Sequence, residues 1–470
     1  MVSTHTSPTA NLFEFARTLN WAAMPQDARR AVRLAVLDSI GCMFGSSRTK
    51  LVQDTLALMQ ALGGAPQSTV VGATSPISMP YAAFLNGLQA NALDFDDAFE
   101  RDGKGMGHPG ASIVPAALAV AEHVDASAED FLCAVSAGYE VANRIIQAIQ
   151  PTPARHADVW GVAVHQAFGS AAAAARLLGL DKTAYHNALG LAGAMSTIPA
   201  ARKWNWTDRP LFTPKDVVAV PAETGVRAAM FAQIGWQGAR SILDGDNGFW
   251  VMAGSDRCDF ALLTDRLGER WTVCELSFKP YPACRWLHAA LEAAEGLMVE
   301  HDLSAGDIVG CEVGTFEDVV RNFADRRPAA MVDGEFSLPW TMAAALRGLP
   351  KGYEWYSPER RADPEMHRLA DMVVMVVDEE AQRRHFSDER KTMSAVRLQT
   401  ADGRTLESRV AVARGGVASP WPEGGVEAKF HNQVAPILGD DGARELQDAI
   451  LALASGSEFG EVAALLGAPT

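Results

Sequence analysis

Helical segments with small-residue faces fill the first half of the chain, and they constrain its fold more than any other feature. Between Pro25 and Ser46 the apolar positions recur every three or four residues, with proline in the first turn, which predicts an amphipathic helix. Ser127 and Asp130 signal the start of another helix. Three more are predicted to begin at Gly169, Thr183 and Pro221. Their faces are rich in alanine and glycine, and small side chains let helices pack closely, so we expect a buried helical bundle.

The pattern changes near Trp271. Three runs rich in β-branched residues, which begin near residues 307, 372 and 394, alternate or run apolar, and a turn is predicted at Asp402–Gly403. Helical patterns are interleaved with them, and the tail from Val426 is helical again. We therefore predict a mostly α fold. A large all-α helical domain is built from both chain ends, 1–267 and 417–470, and a smaller α+β lid domain over 268–416 is inserted between them.

Composition excludes several classes of function. The 470 residues carry a net charge of −16, which argues against nucleic acid as a partner, because phosphate binding needs clustered lysine and arginine. The six cysteines form no CxxC pair, so neither a zinc-ribbon nor an iron–sulfur spacing is present. The first residues lack the pattern of a signal peptide, and the sequence has no run of 18 apolar residues. We expect a cytoplasmic protein that does not contact a membrane.

Motifs of several enzyme classes are also missing. The sequence has no GxGxxG after a predicted strand, no GxxxxGK[ST], no GxSxG and no HExxH. Dinucleotide enzymes, P-loop NTPases, serine hydrolases and zinc proteases are disfavoured accordingly. Three polar clusters in apolar surroundings remain as candidates for chemistry.

The first cluster is the stretch LDFDDAFERDGKGMGHPG, residues 93–110. Three aspartates are followed by a loop with three glycines that can bring His108 back toward Asp94. An acid and an imidazole that approach each other form a proton-transfer pair. The alternative is structural: the acids end a helix and the histidine caps a backbone group. We expect Asp96 and Asp97 to be mainly structural in either case.

Two further clusters are cationic. Lys215 stands just before the helix predicted at Pro221, where a solvated lysine is the simpler alternative. The segment SFKPYPACRWLH then brings four candidates within ten residues, at a junction between an extended segment and a helix: Lys279, Cys284, Arg285 and His288. Two cations and an imidazole at such a junction are typical of a carboxylate-binding wall, although they can also be basic residues on a helix surface.

These clusters resemble the MmgE/PrpD family. The likeness begins in LDFDDAFERDGKGMGHPGASIVPAALAVAE and continues, in the family's order, in SAGYEVANRI, GSAAAAARLLGLD, ETGVRAAMFAQIGWQGARSILDGDNGFW, FKPYPACRWLH, EFSLPW and VEAKFHNQVAPIL. The family includes 2-methylcitrate dehydratases, cis-aconitate decarboxylases and an iminodisuccinate epimerase. The resemblance implies a helical domain with an α+β lid, a homodimer, and an active site between the domains that uses no metal or cofactor.

Residue by residue, the resemblance makes Asp94, His108 and Lys215 the catalytic group. It makes Lys279, Arg285 and His288 binding residues for the substrate. Four positions depart from the decarboxylase-like members, which carry threonine, histidine, histidine and tyrosine where this chain has Ala98, Trp160, Cys284 and Trp340. These four are expected to line a more apolar and aromatic pocket.

The expected function is a metal-independent lyase that acts next to a carboxylate, on a small molecule with an apolar part. Fixed cations would stabilise charge on the carboxylate, and a histidine or aspartate would move the proton. Dehydration is favoured over decarboxylation. A cofactor-independent epimerase is the nearest alternative, and a catalytically inactive binding protein is a further one.

Overall fold

The computed structural model describes residues 7–101, 104–159, 163–197, 209–212, 214 and 217–467. The described chain is mostly α-helical with two small sheets, as predicted. The helices of the first part are α1 (Pro8–Thr18), α2 (Gln26–Ser46), α3 (Lys50–Leu62), α4 (Met79–Asn91), α5 (Gly110–Val124), α6 (Ala128–Ala148), α7 (Pro153–Asp158), α8 (Gln166–Leu177), α9 (Lys182–Met195), α10 (Ala219–Gln233) and α11 (Phe249–Met252).

The middle and end of the chain add shorter helices and one long one. They are α12 (His288–Glu300), α13 (Glu317–Asn322), α14 (Met331–Glu335), α15 (Leu338–Leu346), α16 (Pro358–Arg361), α17 (Pro364–Met372), α18 (Glu379–His385), α19 (Gly425–Leu451) and α20 (Phe459–Leu465). Short 3-10 helices cover Trp21–Ala23, Phe260–Leu263, Thr272–Glu275, Arg285–Leu287, Ala305–Asp307 and Tyr353–Tyr356. Among the described residues, none of these helices combines the length and the apolar character needed to cross a membrane.

Glycines set the close packing of the central helices, as the sequence predicts. A Cβ at Gly169 of α8 would lie 2.7 Å from the carbonyl oxygen of Gly138 in α6. A Cβ at Gly225 of α10 would lie 2.3 Å from Cβ of Ser170. Any larger residue at either position would push two backbones apart. The N-terminal cap of α6 is also the predicted one, because the Ser127 side chain accepts a hydrogen bond from the amide of Asp130.

The C-terminal helix α19 packs against α2. A Cβ at Gly41 would lie 3.0 Å from Cδ2 of Phe430, so this glycine lies where the two helices touch. Arg33 of α2 also donates through Nε to the carbonyl of Leu453, at 2.9 Å. Helices from both ends of the chain thus share one apolar core. The exact boundaries at 267/268 and 416/417 stay predictions.

A second apolar core belongs mainly to residues 281–398. It lies under a four-stranded sheet of order β5-β4-β6-β7, whose strands are β4 (Ile308–Thr315), β5 (Val373–Val377), β6 (Ser394–Thr400) and β7 (Thr405–Val410). Strands β4 and β5 are parallel, and the others are antiparallel. The β6–β7 turn falls at the predicted Asp402–Gly403, where Gly403 has φ 88°.

The sequence pattern does not predict the other sheet, of order β2-β1-β3. Its strands are very short: β1 (Ala98–Arg101), β2 (Lys104–Gly105) and β3 (Leu276–Ser277). Strand β1 pairs with β3 through Ala98 and Ser277, which brings the segment after α4 beside the segment that precedes Lys279. This small sheet therefore joins two of the polar clusters.

Candidate active site

Three aspartates follow the end of α4 and point into the protein. The chain leaves α4 in a tight turn in which the amide of Asp94 donates to the carbonyl of Asn91, at 2.9 Å. Asp94 itself has φ 43°, a left-handed conformation that costs free energy for a residue other than glycine. Asn91 also donates through Nδ2 to Oδ1 of Asp96, at 2.9 Å. The turn thereby fixes two carboxylates only two residues apart.

The β1–β2 hairpin returns the chain to these acids, as the glycine-broken loop predicts. Phe99 donates to the carbonyl of Gly107 at 3.2 Å and accepts from the amide of Met106 at 2.8 Å. Nε2 of His108 then lies 3.9 Å from Oδ1 of Asp94. Gly103, the first of the three glycines in the predicted loop, lies outside the described residues.

Asp96 contacts His108 more closely than Asp94 does. Nδ1 of His108 is 3.2 Å from Oδ2 of Asp96, so the imidazole lies between two carboxylates. The sequence did not predict this contact, and the mainly structural role expected for Asp96 stays a prediction. Four residues separate Asp96 from the end of α4 at Asn91, and the turn that they form places its side chain on the same side as that of Asp94.

Gln166, the first residue of α8, fixes the backbone of His108. Its Oε1 accepts from the amide of His108 at 3.2 Å, and its Nε2 donates to the carbonyl of His108 at 2.6 Å. The neighbouring His165 is fully buried, and its imidazole has no hydrogen-bond partner in the part of the chain that the structure describes. Burial and repulsion from His108 lower the pKa of His165 to about 3, so this ring is neutral.

Lys279 neutralises the acids from the other side. Its Nζ donates to Oδ1 of Asp94 at 2.5 Å and to the carbonyl of Asp94 at 2.8 Å, and it lies 3.9 Å from Oδ1 of Asp96. Burial alone would raise the pKa of Asp96, but attraction from His108 and Lys279 outweighs burial and holds that pKa below its usual value. We call Asp94, Asp96, His108 and Lys279 the acid–imidazole cluster.

A second lysine supports this cluster from below. Nζ of Lys429 in α19 donates to Oδ1 of Asp38 at 2.6 Å and also to the carbonyl of Phe95. Attraction from Asp38 raises the pKa of Lys429 despite the opposing effect of burial. Lys429 thus ties the aspartate-bearing turn to the helices of both chain ends. Sequence reasoning missed this pair, and the only available signal was a lysine inside a largely apolar helix face.

Asp97 contacts protein groups, and the structural role expected for it stays a prediction. Its Oδ1 accepts from the amide of Gly110, the first residue of α5, at 2.8 Å, and its Oδ2 accepts from the hydroxyl of Tyr139 at 2.7 Å. Burial raises the pKa of Asp97 to about 8, so its carboxyl group is mostly protonated at pH 7.

Arg285 and His288 are engaged by protein groups. The guanidinium of Arg285 donates to Oε2 of Glu100 at 3.0 Å and to the carbonyls of Arg414 and Ala413 at 2.7 and 2.9 Å. Nε2 of His288 lies 2.9 Å from the carbonyl of Ala283. Burial and repulsion from Arg285 lower the pKa of His288 well below its usual value. Contact of either residue with a substrate stays a prediction.

Three of the four substituted positions lie among the described residues. Ala98 begins β1 and is buried, Cys284 is buried at the start of a 3-10 helix, and Trp340 is fully buried. The indole N–H of Trp340 donates to the carbonyl of Trp355 at 2.9 Å, so it is not available to a ligand. Cys284 and Trp340 share an apolar core with Leu93 and Phe95, the neighbours of Asp94. Trp160 and Lys215 lie outside the described residues.

The donor atoms of Asp94, Asp96 and His108 lie within 4.8 Å of one another, so these residues could in principle hold a metal ion. The ammonium of Lys279 lies 2.5 Å from Oδ1 of Asp94, and its positive charge would repel a cation at that position. The arrangement is better suited to moving a proton, because the imidazole lies between two carboxylates, and attraction from His108 and Lys279 holds the pKa of one of them, Asp96, below its usual value.

Comparison with known proteins gives matches along most of the chain. Residues 10–260 match the MmgE/PrpD N-terminal domain, and residues 281–455 match the MmgE/PrpD C-terminal domain. Human cis-aconitate decarboxylase is 28% identical over 269 residues, which cover 55% of this chain and only 53% of the human protein. The cis-aconitate decarboxylase of Aspergillus terreus is 21% identical over 485 residues, and these cover 98% of this chain and 96% of that protein. A cis-aconitate decarboxylase-like protein, oryM of Aspergillus oryzae, is 23% identical, with 97% of both chains covered. The two domain matches together show that the chain belongs to the MmgE/PrpD family.

Proposed function

We propose that the protein is a lyase that acts next to a carboxylate without a metal, by abstracting a proton from the adjacent carbon. The observation that carries this proposal is the position of His108, held between Asp94 and Asp96 and within reach of a buried lysine. Membership of the family and the names of the decarboxylase relatives support the same reaction class.

His108 is the acid–base group in this proposal. The ionised Asp96 favours the tautomer in which Nδ1 carries the hydrogen, so Nε2 is left to accept a proton from the substrate. Asp96 then stabilises the imidazolium that forms, in the way that an orienting carboxylate supports a catalytic histidine. Nε2 can return the proton to a departing hydroxyl group, which then leaves as water.

The electrons of the broken C–H bond move toward the substrate carboxylate, where negative charge builds up. Fixed cations stabilise that charge more in the transition state than in the ground state. Lys215 is the proposed source of this positive charge. Lys279 is proposed as a second cation, because its ammonium group has one hydrogen left beyond its two contacts with Asp94. Arg285 can join only by exchanging a bond to Glu100 or to a backbone carbonyl.

The substrate is proposed to be a small carboxylate with an apolar part. Cys284 lies in an apolar core that reaches the neighbours of Asp94, and Ala98 offers no polar group. Standard cis-aconitate decarboxylation and 2-methylcitrate dehydration are therefore expected to be weak. A homodimer is proposed from the family resemblance alone.

Three alternatives keep the same site. A carboxy-lyase would break a C–C bond to the carboxylate. An epimerase would reprotonate the carbon on its other face, and it would need no leaving group. A catalytically inactive member would bind the carboxylate and exchange no proton. The retained acid–imidazole cluster favours catalysis over binding alone.

A single NMR screen separates these reactions. Hydroxy-, unsaturated and amino-carboxylates are incubated with the protein in deuterated water, with His108→Ala as the matched control. A lyase gives elimination or CO₂ loss, and an epimerase gives inversion with deuterium at the carbon next to the carboxylate. If no compound in a broad panel shows exchange, elimination or decarboxylation above the His108→Ala control, the proposal of catalysis is wrong.

A further inference from the structure

A pocket of about 1060 Å³ lies on the outer side of the β1–β2 hairpin. It is bounded by the end of α6, by residues 257–262 and by a loop of the α+β part that contributes Asp388, Glu389 and Lys391. The residues that line it include none of the acid–imidazole cluster. Its apolar lining comes from Met106, Phe260 and Leu262. The pocket therefore spans both parts of the chain and is separate from the candidate active site.

Arg257 lines this pocket, and Arg390 is held beside it. Nη2 of Arg257 donates to the carbonyl of Pro151 at 3.2 Å, and Nη2 of Arg390 donates to the same oxygen at 2.6 Å. Arg390 also donates to Oε1 of Gln150 at 3.1 Å. These partners are neutral groups, so they orient the two guanidinium ions without cancelling their charge, whereas Asp388 pairs with Arg257 at 3.4 Å. Two like charges held this close repel each other unless an anion lies between them.

Among the described residues that line the pocket, cationic side chains outnumber acidic ones. Four cationic side chains, Arg101, Lys104, Arg257 and Lys391, face three acidic ones, Asp259, Asp388 and Glu389. The Asp388 carboxylate is 3.4 Å from Arg257 and its side chain is 76% exposed, so solvent weakens that pair. This balance is opposite to that of the whole chain, whose net charge is −16.

The protonation of Lys104 responds to this excess of positive charge. Burial and repulsion from Arg390 and Arg257 lower the pKa of Lys104 to about 8. Burial and Arg257 likewise lower the pKa of Arg390 to about 10. A bound anion would relieve both effects, which is the electrostatic behaviour expected of an anion site.

We propose that this pocket binds a small phosphate-bearing polyanion whose apolar portion packs against Met106, Phe260 and Leu262. Arg257 and Lys104 would contact the phosphate groups, since a guanidinium can donate two parallel hydrogen bonds to phosphate oxygens, and the neighbouring Arg390 would add positive charge. The volume suits a ligand of nucleotide size. Lys104 belongs to β2, and Met106 is two residues before His108, so a bound ligand would also brace the hairpin that carries His108.

Isothermal titration calorimetry with inorganic pyrophosphate tests the proposal on the full chain at low ionic strength. Wild-type protein should bind pyrophosphate saturably, and Lys104→Gln and Arg257→Gln should each weaken binding roughly tenfold or more, the usual worth of a hydrogen bond to a charged group. Lys50→Gln is the matched control, because this lysine lies on the exposed face of α3, and it should bind as wild type does.

Thermal melts of each variant guard against misfolding, and Lys391→Gln replaces any variant that does not fold. Absence of saturable binding in the millimolar range would overturn the proposal. So would equal affinity of wild type, Lys104→Gln and Arg257→Gln, because the pyrophosphate would then bind elsewhere, for example at the acid–imidazole cluster.

Discussion

The acid–imidazole cluster and a second buried ion pair, Glu140–Arg144 in α6, differ in how completely their polar groups are satisfied. Arg144 donates to Oε2 of Glu140 at 3.0 Å and to the carbonyls of Asp265 and Arg270 at 2.7 and 2.8 Å. Oε1 of Glu140 accepts from the amide and the hydroxyl of Thr272, at 2.6 and 2.9 Å. We call these five residues the Glu140–Arg144 network, and each of its charged groups has good partners.

In the acid–imidazole cluster, by contrast, Oδ2 of Asp96 and Nδ1 of His108 are buried and only 3.2 Å apart. Neither atom makes a well-aligned hydrogen bond within the described ranges. The same turn holds Asp94 in a left-handed conformation. Buried groups left in this state cost stability, and such costs are typical of sites kept for function. On the proposed function, the network serves the fold, whereas the cluster serves the chemistry.

His108→Ala should have the largest effect on activity. Turnover of the substrate found by the NMR screen should fall roughly 10²–10⁴-fold, because a positioned acid or base is worth that much. The melting temperature should change little. Steady-state kinetics and a thermal melt measure the two quantities. If the variant keeps its activity, the hairpin has only a structural role, and Lys215 or Asp94 must transfer the proton instead.

Arg144→Met should do the opposite. It leaves Glu140 charged and buried without its guanidinium partner, which should lower the free energy of unfolding by about 3–5 kcal/mol. Turnover per folded molecule at 25 °C should stay near that of wild type. Arg321→Met is the control, since this arginine pairs with Glu317 at the surface with 72% of its side chain exposed. It should cost less than about 1 kcal/mol. An equal loss of unfolding free energy in both variants would contradict the structural role of the Glu140–Arg144 network.

Asp97→Ala should lower the stability of the protein more than its activity. It leaves the hydroxyl of Tyr139 and the amide of Gly110 without their acceptor, which should lower the free energy of unfolding by roughly 1–3 kcal/mol. Denaturant titration measures this loss. A variant that melts like wild type but has lost turnover would place Asp97 in the chemistry instead.

The pKa of Asp97 also predicts a pH dependence. The pKa of Asp97 is about 8 in the folded protein, and the ordinary value in an unfolded chain is about 4. Between these two pH values the folded state binds more protons than the unfolded chain. The contribution of Asp97 to stability is therefore lost as the pH rises from about 4 to about 8. Asp97→Asn keeps the shape without titrating and should flatten the stability profile in that window by at least about 1.4 kcal/mol, the equivalent of one pKa unit. Identical profiles for wild type and Asp97→Asn would contradict the raised pKa.

Treatment with EDTA should leave turnover unchanged, which is the smallest effect expected. Lys279 already places a positive charge 2.5 Å from Asp94, where a metal ion would be repelled. Turnover should be the same before and after chelation. Activity that EDTA abolishes and a divalent ion restores would show that Asp94, Asp96 and His108 hold a metal.

Local signals in the sequence predict the parts of this molecule that depend on neighbours along the chain. The cap at Ser127 and the return of His108 through a glycine-rich loop are both of this kind. Contacts between distant segments leave no such signal. Asp38 and Lys429 are 391 residues apart, and Gln166 reaches His108 across 58 residues. Only the folded turn shows that Asp94 and Asp96 face the imidazole while Asp97 contacts Gly110 and Tyr139.

One matched pair of substitutions tests the central claim most directly. Asp96→Asn and Glu140→Gln each replace a fully buried carboxylate by its amide, the first in the acid–imidazole cluster and the second in the Glu140–Arg144 network. Turnover and melting temperature are measured for both. The account predicts that Asp96→Asn loses turnover and keeps its melting temperature, whereas Glu140→Gln loses melting temperature and keeps turnover per folded molecule. If Asp96→Asn turns over like wild type, or if both variants lose stability alike, the distinction between a chemical cluster and a structural network is wrong.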